Sequence, residues 1–204
     1  MNVLIGCERS GVVRDEFLRR GHNAISCDLV SSSAPGPHLK GDVRDALRRG
    51  INGGAWDLAI LHPDCTYVAV SGLHWNKRRP ERAAKTEEAI AFIRELFYLM
   101  KNCARRSGLE NPIGCISTRI RKPDQIVQPW QFGEDASKAT CLWLNGLPLL
   151  KPTNILPGGA KARRANQTPS GQNKLGPSPE RAMLRARTYR GIADAMAAQW
   201  GSVA

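Results

Sequence analysis

The chain is short of aromatic residues, which make up 6% of it, and of acidic ones: 18 Asp and Glu stand against 30 Lys and Arg, a formal charge of +12 over 204 residues. It has no apolar run of about 18 residues, which excludes an ordinary transmembrane helix. Met1-Asn2-Val3-Leu4-Ile5-Gly6 lacks the basic flank and long apolar stretch of a signal peptide, so a cytoplasmic protein is expected. The six cysteines, at 7, 27, 65, 103, 115 and 141, form no Cys-x-x-Cys pair and have no His at finger-like spacing. No metal site is expected, and most of these thiols read as small core residues. Apolar and charged content lie near the globular average, and the length suits one domain with a substantial core.

The positive charge is uneven. Residues 151–204 hold nine basic residues against two acidic ones, a net of +7, and leave +5 for the first 150. Pro157 to Pro179 is rich in Gly, Pro, Ser, Asn and Gln, the composition of a flexible basic loop. Lys161, Arg163, Arg164, Lys174, Arg185 and Arg187 are candidate contacts to a polyanion such as nucleic acid. A solvated loop that promotes solubility is the plainer alternative.

Apolar patterning alternates between strand and helix. Val3 to Gly6, Ala24 to Leu29 and Trp56 to Leu61 read as buried strands. Val12 to Arg20 has apolar residues at helical spacing and ends at Gly21, and Pro80 to Arg106 is predicted as a long helix ended by Ser107-Gly108. Such alternation predicts an α/β fold with a doubly wound, mostly parallel sheet and ligands at the carboxyl ends of the strands.

Three places carry chemistry. The first is the turn between Gly6 and Gly11, followed by a helix and, 17 residues after Gly11, by Asp28. Its glycines let backbone approach a nucleotide, and Asp28 can accept ribose hydroxyls, although the loop departs from Gly-x-Gly-x-x-Gly. The second is His62-Pro63-Asp64-Cys65-Thr66-Tyr67, where a Cys in a polar turn after a buried strand can serve as a nucleophile or as a structural thiol. The third is Glu110-Asn111-Pro112, 45 residues beyond Cys65, enough for a helical crossover that returns a carboxylate to the same crevice.

In this order the elements resemble the cytosine-5 DNA methyltransferases. Leu4 to Gly11, Arg20-Gly21-His22 and Asp28 are similar to the family's cofactor-binding opening, and Gly41-Asp42-Val43 to its Gly-Asp-Ile element. Pro63-Asp64-Cys65-Thr66 with Ser71-Gly72 resembles the Pro-Pro-Cys-Gln loop, and Glu110-Asn111-Pro112 the Glu-Asn-Val element. Tyr189-x-Gly191-Ile192-Ala193 resembles the closing Gly-Asn element. Short phage and prophage DNA methyltransferases look nearest, through Lys122-Pro123-Asp124-Gln125, Gln128 to Gly133 and Lys138 to Leu144.

The resemblance implies a Rossmann-like methyltransferase fold that uses S-adenosylmethionine. Residues 1–150 would form the cofactor and catalytic domain, 151–187 a basic loop in place of a full target-recognition domain, and 188–204 a helix packing back on the body. It implies cofactor contacts at Gly6, Cys7, Glu8, Ser10, Gly11, Asp28, Leu29, Asp42, Val43, His62 and Pro63. Cys65 would attack carbon 6 of cytosine, Glu110 would bond the base, and Arg119 and Arg121 would assist the base or a phosphate. The DNA would be a duplex with a flipped base or a single strand, and a free nucleotide stays open. Asp64 replaces the family's second proline, and the 37 residues of 151–187 leave little surface for reading sequence. Two other readings remain: an amino-methyltransferase using the His62 to Tyr67 loop, and a catalytically degenerate fold kept for DNA binding.

Overall fold

The computed structural model describes residues 1–51, 53–176, 178 and 181–202. Its strands are β1 (Asn2–Gly6), β2 (Asn23–Asp28), β3 (His38–Lys40), β4 (Trp56–Leu61), β5 (Ala104–Pro112), β6 (Gln125–Val127) and β7 (Thr140–Asn145). The helices are α1 (Val12–Arg19), α2 (Val43–Arg49), α3 (Val70–Leu73), α4 (Pro80–Cys103), α5 (Ile116–Arg119), α6 (Arg181–Ala186) and α7 (Arg190–Trp200). All seven strands join one sheet in the order β3-β2-β1-β4-β5-β7-β6. Strands β1 to β5 are parallel, β7 runs against β5, and β6 runs against β7, so the sheet is mixed with a single reversed strand.

Val3-Leu4-Ile5 and Leu58-Ala59-Ile60-Leu61 are almost fully buried. Strands covered on both faces must be apolar at successive positions, and alternation then sorts their side chains to two cores. Leu4, Ala59 and Leu61 meet α2 and α4 through Leu47, Ile93 and Leu96. Val3, Ile5, Leu58 and Ile60 meet α1 and α7 through Phe17, Ile192 and Met196. Among the described residues, no helix is long and apolar enough to cross a membrane.

Helix α4 begins with Pro80 at its first turn, where the missing N–H has no helical partner to lose. It ends at Cys103, three residues before the predicted Arg106, because Ala104 and Arg106 pair with Trp56 and Leu58 of β4. Ser107 and Gly108, predicted to end the helix, lie inside β5. The segment after Asp28 holds two elements that periodicity left unmarked, β3 and α2, the latter capped by Asp42 accepting from Arg44 N–H.

Arg14 on α1 is fully buried and fastens the turn between β2 and β3. Its guanidinium donates to Ser26 Oγ at 3.1 Å and to Pro35 O at 2.6 Å. Helix α7 packs against α1, and Arg19 and Arg20 both pair with Asp194 across that contact. The segment after residue 150 is tied to the body: Leu156 N–H donates to Trp130 O, and Asn166 joins both backbone groups of Ser137.

Candidate active site

The chain passes from β1 outward to β2 and β3, then crosses back to β4 on the other side of β1. The ends of β1 and β4 are therefore the point at which strand order reverses, where open α/β sheets place their ligand crevice, here between Cys7 and His62. His62 N–H still donates to Gly6 O at 2.9 Å, which marks the floor of this opening.

Register builds the next part of the site. Leu61 lies opposite Leu109, so His62 and Glu110 follow side by side as the parallel pair ends. His62 Nδ1 is 3.1 Å from Glu110 Oε2, and both side chains are 8% exposed. One residue on, Asn111 Nδ2 donates to Pro63 O at 2.7 Å and clamps the turn that leads to Cys65. Burial pushes the Glu110 carboxyl up, but the His62 hydrogen bond and the charges of Lys138 and His62 outweigh it and hold Glu110 below the usual carboxylate range. An ionised carboxylate only accepts, so the His62 Nδ1 proton lies between the two groups. His62 Nε2 is buried with no hydrogen-bond partner among the described residues.

Cys65 is partly buried on the loop between β4 and α3. Burial pushes its thiol up, and the charges of Asp64 and Glu110 act the same way, opposed by Lys138. The resting group is therefore a thiol near neutral pH. Asp64 has a local reason to be there: its Oδ1 accepts from Thr66 N–H at 3.0 Å and from Thr66 Oγ1 at 2.7 Å, closing a tight turn around Cys65. Arg82 of α4 holds the far side of the loop by donating to Thr66 O and Gly72 O.

The expected cofactor contacts divide into two groups. Gly6, Cys7, Ser10, Gly11, Asp28, Leu29, His62 and Pro63 stand around the crevice at the carboxyl ends of β1, β2 and β4. Cys7 takes a left-handed conformation with φ 56°, and burial, together with the charges of Asp28, Asp42 and Asp64, pushes its partly buried thiol up. Glu8, Asp42 and Val43 are taken up by the fold instead. Glu8 is buried and accepts from Val13 N–H and Arg14 N–H, supplying the cap that Gly11 cannot. Asp42 caps α2 and grips the Arg44 guanidinium, while Val43 lies in the core.

Arg119 and Arg121 do not join the site. Arg119 forms a bidentate pair with Glu87, and Arg121 one with Asp124, because carboxylates nearer in space satisfy each fork. The cation that bears on both Cys65 and Glu110 is Lys138. Reversal of β7 explains it: Pro112 pairs with Thr140, so the residues entering β7 arrive at the edge where β5 ends. Lys138 lies within the Lys138 to Leu144 stretch that resembles the phage proteins but carries no sequence signal of this role. Among the expected nucleic-acid contacts, Lys161, Arg163, Lys174, Arg185 and Arg187 are exposed and Arg164 is buried.

The arrangement couples a thiol, a buried carboxylate, an imidazole and an ammonium group at the edge of a crevice. These are a potential nucleophile, a hydrogen-bond acceptor and a balancing cation, the group types that an addition to a polarised ring requires. No family model matches the chain, and no curated protein matches it significantly.

Proposed function

We propose that this protein is an S-adenosylmethionine-dependent DNA methyltransferase that methylates carbon 5 of cytosine through an adduct on Cys65. The observation that carries this reading is that β5 brings Glu110 against His62 at 3.1 Å and Asn111 against Pro63 O at 2.7 Å, at the base of the loop that carries Cys65. The β3-β2-β1-β4-β5 portion of the sheet has the order of a Rossmann-like fold, and helices cover both faces, which supports the fold the resemblance implies.

The residues at these strand ends suit the cofactor in charge. Asp28 and Asp64 bring carboxylates toward Cys7, suited to hydroxyl, ammonium and sulfonium groups. Gly6 lets β1 end tight against the core, since a Cβ there would collide with the buried side chains of Val43 and Leu61. Gly6, Cys7, Ser10, Gly11, Asp28 and Leu29 would hold the cofactor, with His62 and Pro63 bordering it. When bound, S-adenosylmethionine supplies a methyl group activated by its sulfonium.

Carbon 5 of cytosine becomes nucleophilic once a group adds at carbon 6. Cys65 Sγ would form that bond as its proton passes to solvent, and the C5–C6 π electrons would then take the methyl group at carbon 5, with the demethylated thioether of the donor as leaving group. Glu110 accepts from the exocyclic amine, with His62 fixing the carboxylate and Lys138 balancing its charge. After methyl transfer, loss of the carbon 5 proton to water expels the Cys65 thiolate, which regains a proton from solvent, and restores the C5–C6 double bond. Exposed Lys161, Arg163, Lys174, Arg185 and Arg187 support a polyanionic substrate.

Mass spectrometry of nucleosides from DNA treated with protein and S-adenosylmethionine tests the reading. The expected product is 5-methylcytosine, absent with Cys65→Ala; methylation retained by that variant overturns the mechanism. Asp64, which disfavours the thiolate, supports a second reading, a catalytically silent DNA-binding protein of this fold. Calorimetry separates the two, since the silent protein would take up no S-adenosylmethionine.

A further inference from the structure

A second concave site lies outside the crevice. A cavity of about 290 Å³ opens between Trp130 and the loop carrying Lys161, Arg163 and Arg164. That volume is at the lower end for small-ligand sites, roughly 300–1,000 Å³. Three cationic side chains and no carboxylate line it.

Arg164 makes it a built site rather than a charged surface. Its side chain is 5% exposed and its guanidinium lies 5.4 Å from the centre of the Trp130 ring. Nη2 donates to Gly159 O at 2.6 Å, but Nε is buried with no hydrogen-bond partner among the described residues. The nearest carboxylate, Asp135, stands 3.9 Å from Nη1 and is 58% exposed, a loose pair that solvent screens. A buried guanidinium so incompletely matched favours an incoming anion. Arg163 and Lys161 are exposed on the same wall. Opposite them, Gln128 uses its Oε1 to accept from Lys138 N–H, which leaves its amide nitrogen as a donor.

We propose that this cavity is a phosphate-binding site for the nucleotide substrate, with Arg164 as its buried anchor and Lys161 and Arg163 as its rim. A guanidinium fork with further cations and neutral donors matches the several oxygens of a phosphate group. Ser137 lines the cavity, and the next residue, Lys138, bears on Glu110 and Cys65. A phosphate held here therefore neighbours the base in the crevice. That last link rests on the proposed function; phosphate binding itself does not.

The test uses the ¹⁵N-labelled full chain without S-adenosylmethionine, titrated with deoxycytidine, deoxycytidine 5′-monophosphate and a short oligodeoxycytidylate strand. The Trp130 indole N–H and Arg164 Nε–H resonances should shift with the phosphate-bearing ligands and stay still with the nucleoside. A response to the monophosphate identifies a free nucleotide as the source, and a response to the strand alone identifies a polymer backbone. Arg163→Gln and Lys161→Gln, both at exposed positions, should each weaken binding about tenfold, the loss of one charge-assisted contact. Arg164→Lys should abolish the shifts, and its folding is checked by the remaining spectrum. Equal response to deoxycytidine, shifts confined to other residues, or rim variants that bind as the parent overturns the site. Phosphate binding without methylated product would overturn the proposed reaction and leave this site standing.

Discussion

His62 Nδ1 and Glu110 Oε2 stand 3.1 Å apart at the ends of two adjacent parallel strands, each side chain almost wholly out of water. The pair helps to hold the Glu110 carboxyl below the usual carboxylate range although burial pushes it up.

Replacing His62 with Leu should strand that carboxylate. Glu110 has its folded acidity shifted below the ordinary value, so its contribution to stability is present above the unfolded carboxylate range and disappears as pH falls through the folded value. In His62→Leu, Glu110 should take up its proton at a higher pH, and stability near neutral pH should fall by about 2–4 kcal/mol. Urea unfolding at several pH values reads both effects; unchanged stability would show the pair to be idle.

Cys65 should alkylate as a reluctant thiol. Its iodoacetamide rate should climb with pH to a midpoint above the ordinary free-cysteine value, about 8.5. Asp64→Asn should move that midpoint down and Lys138→Met should move it up, since the first removes a raising charge and the second a lowering one. Peptide mapping of labelled Cys65 follows each shift, and opposite signs would show these charges do not reach the thiol.

Gly114 controls how closely the loop after Cys65 approaches β5. Ala69 bridges to Gly114, Cys115 N–H donates to Val68 O, and a Cβ on Gly114 would collide with that same oxygen. The obstruction is backbone, so it cannot rotate away. Gly114→Ala should cost about 1–3 kcal/mol, measured by urea denaturation, and should speed Cys65 alkylation as the loop is lifted.

Arg14 is a fastener rather than a ligand group. With its guanidinium spread over Ser26, Ser32, Asp15 and the carbonyls of Pro35 and Pro37, Arg14→Met should cost about 3 kcal/mol by leaving buried acceptors unsatisfied. Proteolysis should then cut first in the 31–37 turn; a cut elsewhere with unchanged stability would disprove this anchoring.

Continuous apolar runs made β1 and β4 legible, and helical spacing made α1 and most of α4 legible, because burial on two faces or one stripe is a local demand on residue type. The positions of Cys65 beyond β4 and of Glu110 near the end of β5 were legible for the same reason. Periodicity records burial but neither neighbour nor direction. Thr140–Asn145 therefore gave no sign that it would run against β5 and bring Lys138 to the site, and β6, β3 and α2 went unmarked.

Charged residues were read least well. Glu8 and Asp42 looked like ligand groups until the helix ends they cap were in view, and Arg119 and Arg121 until Glu87 and Asp124 came within reach. Sequence by itself placed a thiol and a carboxylate near the ends of two buried strands of an α/β fold. Only the tertiary structure decided which charges they face, because an ion pair depends on distances of a few ångströms between residues far apart in the chain.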